Sequence, residues 1–149
     1  MADRDENIDA DIWYVDSVVL TQMTWSKHSI EDFKEINEGT KIYLGDDRSH
    51  QIKGCGKVSV ILPDGNIKQI YNVMYVPGIT KNLISVSMIT NQDLKVEFLK
   101  SNCYIKDLLD RMKTIAKGIR TGGLYKLDVR PAPVRALTTL SLTTEEIWN

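Results

Sequence analysis

The sequence predicts an all-β domain, and three observations carry that prediction. Short extended segments recur roughly every eight to twelve residues. Turn chemistry separates them, at Gly45-Asp46-Asp47-Arg48, Pro63-Asp64-Gly65-Asn66 and Thr121-Gly122-Gly123. Where a segment is long enough to judge, it alternates: Val58, Val60 and Leu62 fall on one face of a strand. Together these argue a barrel or a sandwich.

In chain order, residues 1–11 are polar and read as a loose N-terminus. Ile12 to Val15 is the first strand, and it runs straight into Asp16-Ser17. Leu20 to Trp25 is a second strand. Ser29 to Phe33 reads as a short helix with Ser29 as N-cap and Asp32 three residues on. Lys41 to Leu44 is extended and ends at the acidic turn, and Gln51 to Lys53 resumes. Gly54 and Gly56 bracket Cys55, a composition that marks close backbone approach or a bend. Lys57 to Leu62 and Ile67 to Val76 form a hairpin across Pro63-Asp64-Gly65-Asn66. Pro77-Gly78 ends the return strand. Asn82 to Ile89 passes from extended to helical. Leu94 to Leu99 pairs with Cys103 to Ile105 through Ser101-Asn102. Thr114 to Ile119 pairs with Leu124 to Leu127 through the Gly122-Gly123 turn. From Arg130-Pro131-Ala132-Pro133 the composition reads as a linker, and Thr143-Thr144-Glu145-Glu146 fits a capping box. Three segments follow: 1–11, a folded domain over 12–129, and a linker with the start of a further region over 130–149.

The chain has 149 residues and is 42% hydrophobic, enough for one domain with a real core. Nineteen basic and 20 acidic residues leave a net charge of −1, so no long-range field favours direct nucleic-acid or membrane binding. The apolar runs are too short to span a bilayer as a helix. The acidic N-terminus is unlike a signal peptide, and the expected location is the cytoplasm or nucleus. Cys55 and Cys103 permit one disulfide and no metal cluster, and a reducing compartment fits them. No metal or cofactor is expected. Asp16 is the sharpest single feature. A carboxylate closing an apolar strand is costly unless hydrogen-bonded or functional.

Five blocks, in order, resemble the protease domain of copia-type retrotransposon polyproteins, a retropepsin-like aspartic protease family. They are Asp11-Ile12-Trp13-Tyr14-Val15-Asp16-Ser17; Met23-Thr24; Tyr43-Leu44-Gly45-Asp46; Asn72 to Ile79 with Lys81 to Ser87; and Gly122-Gly123-Leu124-Tyr125-Lys126-Leu127. They span residues 11–128. The resemblance implies a closed retropepsin-like barrel with a short helix and a C-terminal β extension after Leu99. It implies a homodimer in which each chain supplies one catalytic Asp, here Asp16, the two carboxylates sharing a proton across an attacking water. Ser17 is then the hydroxyl that braces the two loops. Leu44, Gly45, Asp46, Asp47 and Arg48 become a flap tip over a peptide or protein substrate. Asn82 to Met88 packs behind the active loop.

The departures from the family pattern sit where chemistry would occur. Asp-Ser-Gly reads Asp16-Ser17-Val18, the His often found before the Met is Gln22, and the flap's second Gly is Asp47. Substrate backbone passes over the third residue of that motif, where glycine leaves room. Val18 adds a β-branched side chain, blocking the substrate floor or displacing Asp16. A displacement of about 1 Å can cost on the order of 100-fold in rate. Two functions remain in view: a peptide-cleaving homodimer that tolerates Val18, and a domesticated pseudoprotease that keeps the fold to bind peptides or proteins. Val18 favours the second.

Overall fold

The computed structural model describes residues 10–37, 39–44 and 48–132. Of the loose segment expected over residues 1–11 only Ala10 and Asp11 are described; the flap-tip residues Gly45, Asp46 and Asp47 and the capped helix at Thr143 lie outside the described residues.

Thirteen strands and one short helix are described. They are β1 (Trp13–Asp16), β2 (Gln22–Thr24), β3 (Glu31–Glu35), β4 (Lys41–Tyr43), β5 (Ser49–Gln51), β6 (Gly54–Ile61), β7 (Ile67–Tyr75), β8 (Asn82–Ser85), helix α1 (Val86–Thr90), β9 (Leu94–Phe98), β10 (Asn102–Asp107), β11 (Lys113–Thr121), β12 (Leu124–Leu127) and β13 (Arg130–Pro131). One sheet runs β13-β6-β7-β2-β8-β1-β12-β11-β10-β9, with β3 also on β6, and β4-β5 form a separate ribbon. Two neighbours are parallel, β1 with β8 and β2 with β7. The rest of the pairings are antiparallel, some through hairpins such as β6-β7 and β10-β11 and some between strands distant in the chain such as β1-β12.

The hairpin expected at residues 63–66 is present. Leu62 N–H donates to Asn66 O at 2.8 Å, and Gly65 takes φ +91°, which costs a glycine nothing. Val58, Val60 and Leu62 are all buried, as their alternation requires. They join Trp13, Val15, Ile84, Cys103, Ile105 and Leu127 in one core. That core draws on strands from both halves of the sheet, so the sheet curls around it. Among the described residues its two end strands, β9 and β13, are not paired with each other. The curl is held by side-chain packing there, not by a closed backbone ladder. The β extension after Leu99 is β10, β11 and β12, and β12 returns to pair with β1.

Two local expectations are corrected. Residues 29–33 are not helical: Lys27–Ser29 form a single 3-10 turn, and Glu31–Glu35 are strand β3. A short helix gains few hydrogen bonds against its nucleation cost, and here Ser26, the residue before the turn, makes no side-chain cap bond. The edge of β6 offers more. Ser59 Oγ donates to Glu31 Oε2 at 2.8 Å, Ile30 is buried, and the Phe33 ring meets Tyr75 edge-on at 5.9 Å. β3 also explains Gly54 and Gly56. A Cβ at Gly56 would meet the Ile30 side chain and stand 2.5 Å from Glu31 O, so the close approach read from the glycines is real. The second correction concerns the linker. Arg130 and Pro131 pair with Ile61 and Val60, and Ala132 N–H reaches Ser59 O at 3.4 Å. Pro131 is admissible because β13 is an edge strand.

Candidate functional site

The parity of β1 decides where Asp16 points. Side chains alternate across a strand. Trp13 and Val15 enter the main core, so Tyr14 and Asp16 face the other side. That side carries a second, smaller cluster: Met23, Ile52, Val76, Ile79 and Leu83 are buried, with Tyr14, Val19, Ile42, Leu44 and Leu124 packed against them. Ile42 and Leu44 come from the β4-β5 ribbon, which lies on this same face. Ile52 N–H to Thr40 O at 3.0 Å closes the base of the ribbon, and Lys53 N–H to Tyr75 O at 2.9 Å ties that base to β7.

Asp16 lies where two clefts meet. The larger, about 560 Å³, is bounded by Asp16, Val18, Leu20, Tyr43, Leu44 and Leu124 among others. The smaller, about 240 Å³, is bounded by Asp16, Leu44, His50, Gly78, Thr80 and Lys81 among others. Asp16, Leu44, Leu83 and Leu124 belong to both. A third, about 50 Å³, lies among Val60, Ile70, Ile84 and Ile105 of the core, with Lys68 and Gln92 also at its wall.

The loop after β1 is built by two hydrogen bonds. Val18 N–H donates to Asp16 Oδ1 at 2.8 Å, folding the carboxylate back on its own loop. From behind, Ser85 Oγ donates to Val19 O at 2.9 Å. Ser85 stands opposite Asp16 in the parallel β1-β8 register and is fully buried. Its single proton goes to the Val19 carbonyl. Ser87 Oγ, 2.8 Å away, must therefore be the donor to Ser85 Oγ. Met88 N–H also turns toward it at 3.4 Å, which makes Ser85 the N-cap of α1. The expectation that Asn82 to Met88 packs behind the loop is met in this way.

The expected site residues divide as follows. Asp16, Val18 and Leu44 come together around the clefts. Ser17 is exposed at the loop tip, and Arg48 is exposed just before β5. Gly45, Asp46 and Asp47 lie outside the described residues. Reading the sequence missed Ser85, the buried hydroxyl that braces the loop within one chain. The Ser-x-x-Met capping geometry was its only local signal. His50 and Lys81 were also missed as cleft residues, since nothing in a sequence brings residues 50 and 81 to residue 16. Gln22 is buried and its Nε2 donates to Tyr71 O at 2.7 Å, so it acts in the scaffold.

Both cysteines are free. Cys103 is fully buried, and burial pushes its thiol up to about 11. Cys55 is half-buried. Among the described residues no three His, Cys, Asp or Glu side chains gather as a metal would require, and no helix is long and apolar enough to cross a membrane.

A mostly β domain with a strand-end carboxylate under a ribbon is a class with a match among known families. The chain belongs to the Pol polyprotein β-barrel domain family, whose model matches residues 13–94. That match runs from β1 into the start of β9 and holds most of both clefts. Over 97 residues the chain is 28% identical to the retrovirus-related Pol polyprotein from transposon RE1 of Arabidopsis thaliana. The aligned part is 64% of this chain and 6% of that relative's length. No solved structure matches the chain.

Proposed function

We propose that this domain is a retropepsin-like module that binds an extended peptide or protein segment across Asp16, acts as a homodimer, and has lost most or all of its hydrolytic power. The observation that carries this reading is the placement of Asp16 at the seam of two clefts beneath the β4-β5 ribbon. An extended chain laid along the seam passes under the ribbon with side chains falling alternately to either side.

Hydrolysis by an aspartic dyad needs two carboxylates sharing one proton, and each chain supplies one. A second copy must therefore bring its Asp16 to a two-fold axis. Surface chemistry around Asp16 supports such a contact. Val18 and Leu20 are each 82% exposed and Tyr43 is 69% exposed, an apolar rim that a second copy would cover. The same Val18 argues against fast turnover. Its side chain borders the larger cleft beside the carboxylate, where a substrate backbone needs the room a glycine leaves. A slow peptidase is the second reading. It is favoured by the in-register pairing of Asp16 with Ser85, which keeps the carboxylate at the strand end despite Val18.

The test has two arms. Sedimentation at micromolar concentration should give a dimer, and a strict monomer would remove the shared-proton geometry. Turnover of a mixed peptide library at acidic pH should be barely detectable for the wild type and should rise in Val18→Gly/Val19→Ala. Robust wild-type cleavage that Asp16→Asn abolishes would establish the peptidase and overturn the pseudoprotease reading.

A further inference from the structure

The two clefts that share Asp16 differ in chemistry. The larger is walled by Val18, Val19, Leu20, Ile42, Tyr43 and Leu124, all apolar or aromatic. The smaller carries an imidazole, a hydroxyl and an ammonium, from His50, Thr80 and Lys81. Both cationic or potentially cationic groups therefore stand on one side of Asp16.

Two features hold those groups at the cleft. Lys81 immediately precedes β8, and its Nζ lies 5.8 Å from the centroid of the Tyr14 ring. Tyr14 shares the cleft face of β1 with Asp16, so a cation–π contact keeps the ammonium on that face. The His50 ring lies against Gly78, where an added Cβ would stand 3.0 Å from Nδ1. A side chain at position 78 would push the ring away, and its absence lets the imidazole rest on the backbone.

Resting on the peptide-binding reading above, we propose that the paired clefts select a segment carrying a bulky apolar side chain close to an acidic one. The apolar group seats in the Val18-Leu20-Tyr43 cleft and the carboxylate beside Lys81 and His50. Asp16 sharpens the geometry. Its own charge repels an acid placed over the seam, so the ligand carboxylate must sit outward, on the Lys81 side. A basic side chain there would meet the ammonium instead.

The experiment uses the full chain and three pools of 12-residue peptides. Each pool fixes one Leu and, at the next position so that the two side chains fall on opposite sides of an extended chain, Glu, Gln or Lys, with the other positions drawn from Ala, Ser, Thr and Val. Retained peptides are measured by mass spectrometry for the wild type, Lys81→Ala and Lys81→Glu, each first checked for an unchanged melting curve. The wild type should retain the Glu pool roughly tenfold over the Lys pool at low salt, and less at high salt. Lys81→Ala should bring the ratio near one, and Lys81→Glu should invert it. A Glu-to-Lys ratio that is the same in all three proteins would overturn this inference and leave peptide binding standing. Retention of no pool by any of the three would overturn the peptide-binding reading and this inference with it.

Discussion

Asn82 is the side chain on which the site's scaffold depends most. It is fully buried at the start of β8. Its Oδ1 accepts from Thr24 Oγ1 at 2.6 Å and from Trp25 N–H at 3.3 Å. Its Nδ2 donates to Ala10 O at 3.0 Å and to Ile12 O at 2.9 Å. One amide thus ties the entry to β1, the exit from β2 and the start of β8, one residue before Leu83, which borders both clefts. Asn82→Ala removes all four bonds and leaves buried donors and acceptors unmet. At about 1–3 kcal/mol for each group that cannot find water, a total of about 3–5 kcal/mol is expected. That is a large share of a typical 5–15 kcal/mol stability, roughly 10–15 °C in melting temperature at this size.

Asn82→Asp separates hydrogen bonding from cavity formation, because the shape is kept. The new carboxylate still accepts from Thr24 and Trp25 but faces two carbonyl oxygens with no proton to offer. Burial and those carbonyls raise its folded-state pKa above the unfolded value of about 3.9. A raised group contributes its full stability below the unfolded pKa and loses it as pH rises through the folded one. The melting deficit against wild type should therefore be smallest near pH 4 and widen toward pH 7. Thermal denaturation followed by circular dichroism across that range measures both variants. An Asn82→Ala protein within about 3 °C of wild type, or an Asn82→Asp deficit that does not change with pH, would refute the reasoning.

Three further outcomes follow from particular contacts. Ser85→Ala frees Val19 O and removes the cap of α1, so it should cost about 1–2 kcal/mol and weaken peptide retention, read by melting and by the pool assay. Gly56→Ala should cost about 1–3 kcal/mol by forcing β3 off the β6 edge, seen as faster amide exchange over Glu31–Glu35; unchanged exchange would contradict it. The Cys103 thiol is neutral in the fold up to about pH 11, whereas in the unfolded chain it ionises from 9.0. Stability should fall between those values, and Cys103→Ala should show a shallower decline over the same window.

Much of this molecule can be read along the chain because its cause is local. The Val58-Val60-Leu62 alternation marks a buried strand face. Asp64-Gly65 demands a tight turn. Gly54 and Gly56 announce a close neighbour, though not which one. Even the direction of Asp16 follows from strand parity once Trp13 and Val15 are assigned to the core. The misreadings have a common origin. Ser29 to Phe33 carries a weak local helix signal, and Arg130-Pro131 carries a loop signal. Both become strands because β6 has an open edge that no local rule can see. Ser85 opposite Asp16, the ribbon lying over the carboxylate, and His50 and Lys81 reaching one cleft are likewise matters of register and long-range pairing. Local propensities are worth tenths of a kcal/mol per residue, and ladder bonds with burial outweigh them. The strands are therefore legible in the sequence, while the edges they fill and the site they enclose belong to the tertiary fold.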